Sequence, residues 1–350
     1  MNKILTIIVP AYNMEKYLGR CLSSLLIDES LMRDFEVLVI NDGSIDRTSE
    51  IAHRFELNYP NTFRAIDKEN GHYGSCVNRG LQEAKGIFVK ILDADDSFDK
   101  KVFPDFVRFL SDDKILNNAE IILSDFSVVN ELGGIIKQQH YSVQDTFFTI
   151  EKLSATDKHE WFIHALSYRT AVLRNINYRQ TEGKAYTDHE WSFIPMAHVN
   201  LMTRFYGTLY CYTVGREGQS VDDTIHAKNL WMEMEILIGL INYFKTIIAT
   251  IDEDHTSFLF DRLYLMVTHI YQLSLITYQY LNLSYEHLDH FDKKLEILSP
   301  NLYAATESYE TRICGLIFHP VLNWRYHHNF AMRCQSLLYF IAHHIAKFKK

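Results

Sequence analysis

The sequence predicts an α/β protein in which a mostly parallel sheet flanked by helices is followed by an all-helical C-terminal region. Three observations carry this. In the first third of the chain, apolar runs of strand length alternate with helix-length stretches, a rhythm that needs crossover connections and so parallel neighbours. The residues richest in chemistry fall just after those runs, where ligands sit in such sheets. From about Thr224 onward the pattern is nearly all helical, rich in Tyr, Phe, Leu and His, with no glycine-rich or acidic motif.

Residues 5–9 (LTIIV) form a buried-strand run closed by Pro10, and 15–26 has helical spacing. Residues 36–40 (EVLVI) read as a second buried strand, 44–57 as a helix, 64–67 as a weak strand and 74–84 as a helix. The run 87–92 (IFVKIL) is a fourth strand, and Asp93, Asp95 and Asp96 follow at once. A helix then leads to Leu110, capped by Asp96 or Asp99, with Pro104 blurring its start. A mixed middle third holds strands at 121–123 and 208–214. Thr187 and Glu190 have the spacing of a capping box, which starts a helix with Asp188 in its first turn.

The 350 residues are 47% hydrophobic, 23% charged and 13% aromatic, enough core for one large domain or two ordinary ones. A formal net charge of −9 argues against a nucleic-acid partner, which calls for a basic face. The five cysteines lie far apart without a CxxC pair, which argues against a zinc knuckle or disulfide framework and suits a reducing cytosol. The apolar N-terminal run turns polar at once and reads as a strand, not a signal peptide. Residues 263–283 form the best membrane-span candidate but carry His269, Gln272 and Gln279, too polar to cross alone. Seventeen histidines include no HExxH, and the adjacent pairs His327-His328 and His343-His344 do not share a helical face.

Three carboxylates at the end of a buried strand are costly unless something neutralises them. In an extended chain Asp93 and Asp95 point one way and Asp96 the other. Two carboxylates on one face suit a hard divalent cation shared with a phosphate ligand. The glycine-bearing stretch 70–80 opens a helix, whose free N–H groups attract phosphate, yet it fits neither the dinucleotide nor the P-loop pattern.

The segments IIVPAYNMEKYL (7–18), VLVINDGSIDRTSEIA (37–52), ENGHYGSCVNRGL (69–81) and ILDADD (91–96) occur in this order, each at a strand end or a helix start. Together they resemble the family 2 glycosyltransferases with a GT-A fold, many of which build bacterial surface polysaccharides. The resemblance covers about residues 3–220. It implies that Tyr12 stacks on the nucleotide base in a pocket shaped by Pro10 and Ala11, and that Asp42 hydrogen-bonds the base. It further implies that Asp93 meets the ribose or the metal. Asp95, just past Ala94, then binds the Mn²⁺ or Mg²⁺ that bridges the donor diphosphate. His72 is a diphosphate neighbour and Asn78 a further donor-site residue, although the Asn78-Arg79 order reverses the Arg-Asn of many relatives. In VGREGQSV (214–221) Arg216 has the fork geometry for phosphate oxygens, and Gln219 and Ser220 add hydrogen bonds in a loop that closes over the diphosphate in similar enzymes.

Direct displacement at a sugar's anomeric carbon needs a group that takes the acceptor hydroxyl's proton. Asp188 is that candidate, kept ionised by the helix dipole. The family carries an acidic pair at such a helix start, whereas here the pair is Thr187-Asp188. Glu190 is the fallback. Trp161 and His164 lie where relatives shape the acceptor pocket.

The implied organisation is a GT-A catalytic domain over 1–222, with a donor half over about 1–110 and an acceptor half over about 111–222, then a helical domain over 223–350. The apolar residues Leu337, Leu338, Phe340, Ile341 and Ile345 beside Lys347, Lys349 and Lys350 suit a helix on an anionic membrane surface, or packing on the domain or on a second subunit. The implied activity is inverting transfer of a hexosyl or N-acetylhexosaminyl group to a glycan or lipid-linked saccharide. The donor is a nucleotide-sugar, a UDP-sugar favoured, and the setting is cytoplasmic or at the inner membrane face. A catalytically silent nucleotide-sugar-binding subunit and a nucleotidyltransferase are the alternatives.

Overall fold

The computed structural model describes residues 3–156, 162–216, 218–219, 222–278, 281, 285–313 and 315–326. They divide into two compact units, one up to residue 216 and one from residue 217.

The first unit is built on one sheet of β1 (Leu5–Ala11), β2 (Phe35–Asp42), β3 (Phe63–Lys68), β4 (Phe88–Ile91), β5 (Ser97–Phe98), β6 (Ile121–Asn130), β7 (Ile135–Gln139), β8 (Phe147–Phe148), β9 (Leu166–Arg169) and β10 (Met202–Val214). Their order is β3-β2-β1-β4-β9-β6-β10-β5, with β7 beside β6 and β8 beside β10. β3, β2, β1 and β4 are parallel neighbours, as the alternation of strand and helix requires. β9 is antiparallel to both β4 and β6, so β4, β6 and β10 still run the same way.

β1 and β2 are buried along their whole length, which is why they read as unbroken apolar runs. Pro10 is tolerated inside β1 because it lies past Ile8, the last β1 residue paired with β4. The helix Thr48–Asn58 turns Thr48, Ile51, Ala52 and Phe55 inward onto β3 and β2. The helix His72–Glu83 packs on β1 and β2, and at Gly80 a side chain would meet the Ile8 side chain at 2.6 Å, so only glycine permits that approach.

The helices expected at 15–26 and 44–57 shrink to Leu18–Ser23 and Thr48–Asn58. The residues released stitch the two strand-end loops together. Asn13 N–H donates to Ser44 Oγ at 3.0 Å, Met14 N–H to Thr48 Oγ1 at 2.6 Å and Glu15 N–H to Asp46 at 3.0 Å. Asn13 sits at φ 52°, a left-handed geometry that Asn adopts readily.

The second unit is mainly helical, with Asp223–Ile247, Glu253–Gln272, a π-helical turn Leu273–Thr277, Glu286–Leu298, Pro300–Thr306 and Pro320–Tyr326. It is not all helix: Thr311–Ile313 pairs with Leu316–Phe318, with Gly315 at φ 83° in the return. Arg325 joins the helices of this unit, donating to Asp292 at 2.7 Å and to the Tyr303 carbonyl at 3.0 Å. Among the described residues no helix is long and apolar enough to cross a membrane. The basic C-terminal stretch with Leu337 to Lys350, and the two adjacent histidine pairs, lie outside the described residues.

Candidate active site

Strand register sets the site. Ala11 pairs with Asn41, Asp42 with Lys68, and Ile8 with Ile91, so the carboxyl ends of β1 to β4 share one rim. Pro10, Ala11, Tyr12, Asp42, Asp93, Ala94 and Asp95 all fall on it. Tyr12 is 48% exposed, its ring presented to solvent beside the buried Ala11. Asp42 is enclosed: its carboxylate accepts from Lys68 Nζ at 2.6 Å, Gly71 N–H at 3.0 Å and Ser75 Oγ at 3.4 Å. All three donors meet Oδ1, so that one oxygen holds the 68–75 loop and keeps Lys68 at the rim. His72 is exposed at the start of the helix His72–Glu83, at φ 65°. Asn78 is bonded to the 180–182 segment. Its amide donates to the Gln180 carbonyl at 2.9 Å and to Glu182 at 2.8 Å, and accepts from Gln180 N–H at 2.8 Å.

The acidic stretch is a turn, not an extension of β4. Asp96 N–H donates to the Asp93 carbonyl at 3.0 Å, so the alternation expected of a strand does not apply. Asp96 does not cap the next helix either. β10 passes alongside and supplies Thr213 N–H and Tyr210 Oη, each donating to Asp96 at 2.7 Å. Asp99 instead accepts from Lys101 N–H at 2.8 Å ahead of the helix Phe103–Leu110. The three acids thus part company. Asp93 accepts from Tyr73 Oη at 2.7 Å, Asp95 is paired with Arg216 Nε, and Asp96 is fixed to β10. Burial, then the charge of Asp95, pushes the Asp93 carboxyl up to about 7 and Asp96 well above the usual carboxylate range. Among the described residues Asp95 alone of the three pairs with a cationic side chain.

Arg216 also lies over the Tyr17 ring, 5.5 Å from its centroid. Arg20, which no motif marks, donates to the Asp95 carbonyl at 2.6 Å and to Thr213 Oγ1 at 3.1 Å. Under the turn, Lys90 is fully buried and donates to the His164 carbonyl at 2.8 Å and the Leu166 carbonyl at 3.3 Å. Burial without a carboxylate lowers it to about 7, and burial together with Lys90 lowers His164 to about 3. Oxygens of Asp93 and Asp96 and a ring nitrogen of His164 all lie within 4.8 Å of one another. A cluster short of positive charge, with a histidine beside it, fits a divalent cation.

Asp188 begins the short helix Asp188–Phe193, and its charge is among those that raise Asp93 and Tyr73. It therefore lies within electrostatic range of the acidic turn. The capping box does not form. Thr187 makes no side-chain cap bond but donates to Gln180 Oε1 at 3.4 Å. Glu190 accepts from both Thr181 N–H and Thr181 Oγ1 at 2.7 Å. Tertiary partners won over the local pattern because Glu190 is buried, where an unpaired carboxylate is costly. Gln219 belongs to the second unit, where its carbonyl accepts from Asp222 N–H at 3.0 Å. Ser220 and Trp161 lie outside the described residues.

Residues 6–154 match the family described as "Glycosyl transferase family 2". The chain is similar to the poly(ribitol-phosphate) beta-N-acetylglucosaminyltransferase TarS of Staphylococcus aureus, 26% identical over 255 residues that cover 71% of this chain and 42% of that protein. It is also similar to the uncharacterized glycosyltransferase MG025 of Mycoplasma genitalium, 35% identical over 115 residues, 32% of this chain and 38% of that protein. The chain thus spans less than half the length of these relatives. The crystal structure of S. aureus TarS 1–349 has a similar fold, with a TM-score of 0.51 and 18% identity over 90% of this chain and 95% of that one.

Proposed function

We propose that this chain, whose residues 6–154 match glycosyltransferase family 2, moves a sugar from a nucleotide-diphosphate donor to an acceptor hydroxyl with inversion at the anomeric carbon. The observation that carries this reading is the acidic turn after β4, flanked on the same rim by the open ring of Tyr12 and facing the charge of Asp188. Tyr12 offers a flat face to a base. Lys68, held by Asp42, and the helix start at His72 supply positive ends for the ribose and phosphates. Arg216, parked on Asp95, is the fork donor for diphosphate oxygens.

Asp188 takes the proton from the acceptor hydroxyl as its oxygen attacks. One base and one displacement leave the anomeric configuration inverted. Tyr73 and Tyr210 hold Asp93 and Asp96 so that the turn keeps its shape while charge develops above it. A divalent cation held by the acids of this turn would stabilise the charge building on the leaving diphosphate. A UDP-sugar is favoured as donor, and a glycan or lipid-linked saccharide as acceptor. TarS is named for N-acetylglucosaminyl transfer, so UDP-N-acetylhexosamines head the donor panel.

Thermal denaturation with UDP, dTDP and GDP, each with and without Mn²⁺, tests the donor site. A nucleotide at about a hundred times its Kd adds roughly 2.7 kcal/mol of stability. UDP with Mn²⁺ is expected to give the largest shift. No shift with any nucleotide would remove the donor site. A shift without turnover on any acceptor preparation would instead identify a silent nucleotide-sugar-binding subunit.

A further inference from the structure

The hairpin that joins β6 to β7 carries aliphatic side chains where polar ones are expected. Leu132 is 95% exposed, Ile135 63% and Ile136 61%. Ile135 and Ile136 are neighbours in β7, so they point to opposite faces of the strand, and both are bare. The hairpin therefore stands clear of the first unit on both faces. Its tip is nonetheless firmly built. Asn130 Oδ1 accepts from Leu132 N–H at 3.0 Å and from Gly134 N–H at 2.8 Å, and the Asn130 carbonyl accepts from Gly133 N–H at 2.8 Å. Gly133 makes the return at φ 81°. The foot of the hairpin is tied to the candidate site, because Arg20 donates to the Glu131 carbonyl at 3.2 Å and to the Asp95 carbonyl at 2.6 Å.

We propose that the tip formed by Leu132, Ile135 and Ile136 inserts into a lipid bilayer and holds the acidic-turn edge of the first unit at the membrane surface. Two features favour lipid over a second copy of the chain. The three side chains expose on the order of 300 Å² of apolar surface, against about 800 Å² per partner in a stable dimer. Among the described residues β7 pairs with β6 alone, and Lys137, exposed in the middle of that open edge, discourages pairing with another strand. A bilayer needs neither a matching surface nor a partner strand. Aliphatic side chains on a fixed turn enter the acyl boundary while Lys137 stays at the headgroups. Binding through so few groups is weak and reversible, as with a single acyl chain. The inference deepens the reading above by making the acceptor lipid-linked, and it rests on that reading for the transfer itself. Enzyme and acceptor confined to one surface meet at a raised effective concentration.

The test is flotation of the full chain, without nucleotide, on phosphatidylcholine vesicles at millimolar lipid. About 1 M NaCl is present, which screens charge within roughly 3 Å and leaves apolar insertion. The wild type is expected to float with the vesicles. The triple variant Leu132→Ser, Ile135→Ser, Ile136→Ser is expected to partition at least about tenfold more weakly, about 1.4 kcal/mol, with its UDP-induced thermal shift unchanged. Leu132→Trp is expected to add fluorescence that moves to the blue on vesicles and is quenched by brominated acyl chains. A wild type left in the soluble fraction would overturn the proposal. Partition of the triple variant within about threefold of wild type would move the contact to another part of the chain and defeat it equally. Light scattering that finds wild-type dimers and triple-variant monomers would replace lipid with a second copy. A chain that shifts with UDP but binds no vesicles loses the tip and keeps the donor site; vesicle binding without any nucleotide shift does the reverse.

Discussion

The hydroxyl of Tyr210 accepts the Asp93 N–H at 3.1 Å and donates to Asp96 at 2.7 Å, so one phenol on β10 holds both ends of the acidic turn. Tyr210→Phe leaves a buried carboxylate oxygen and a backbone N–H without this partner. The expected cost is about 1–3 kcal/mol in urea denaturation at unchanged m-value. On the far side of the rim, His53 Nε2 meets Asp67 at 2.8 Å and its Nδ1 meets Glu56 at 2.9 Å. The hydrogen bond to Asp67, then that to Glu56, raises the imidazole above its ordinary 6.5. The charged ring is the paired form, so its stabilisation is full below about pH 6.5 and fades as pH rises through the higher folded value. NMR titration should find His53 above 6.5 in the wild type and closer to it in Asp67→Asn. At this scale the sequence displayed Tyr12, Asp93 and Asp188, because each follows a strand or opens a helix. It hid Tyr210 and Arg20, whose partners on the turn lie 114 and 75 residues away, beyond any local spacing rule.

The loop 180–190 shows how an element is set by partners that periodicity does not reveal. Glu190 accepts twice from Thr181, and Asn78 clamps Gln180 and Glu182 to the helix His72–Glu83. At Gly74 a side chain would sit 2.1 Å from the Thr181 carbonyl, so the helix meets the loop backbone directly. The loop leading to Asp188 is thereby tied to the helix that borders the donor rim. Asn78→Ala is expected to lower turnover about tenfold or more while UDP affinity stays within about threefold, since it loosens the base and not the nucleotide contacts. Steady-state kinetics beside calorimetry with UDP checks this; equal losses in both would place Asn78 among the donor contacts. The T-x-x-E spacing correctly announced a helix start but misassigned its fastening. A local pattern cannot show that a buried carboxylate has its donors nine residues back in the chain.

Across the molecule, the first unit carries the sheet, the acidic turn and Asp188 within residues up to 216. A fragment of residues 1–216 is expected to melt cooperatively and to keep the UDP-induced shift in thermal denaturation. A fragment that is soluble but does not respond to UDP would mean that the donor site draws on the second unit. The βα rhythm of the first third made β1 to β4 and their shared rim readable. The antiparallel insertion of β9 and the length of β10 were not, because they depend on pairings between distant segments.

Asp188→Asn tests the central claim most directly, with UDP binding and sugar transfer measured on the same preparation. General-base catalysis supplies about 10²–10⁴ in rate. The account predicts that transfer falls by at least about a hundredfold while UDP affinity stays within about threefold of wild type. Transfer above about a tenth of the wild-type rate in a variant that binds UDP normally would contradict it.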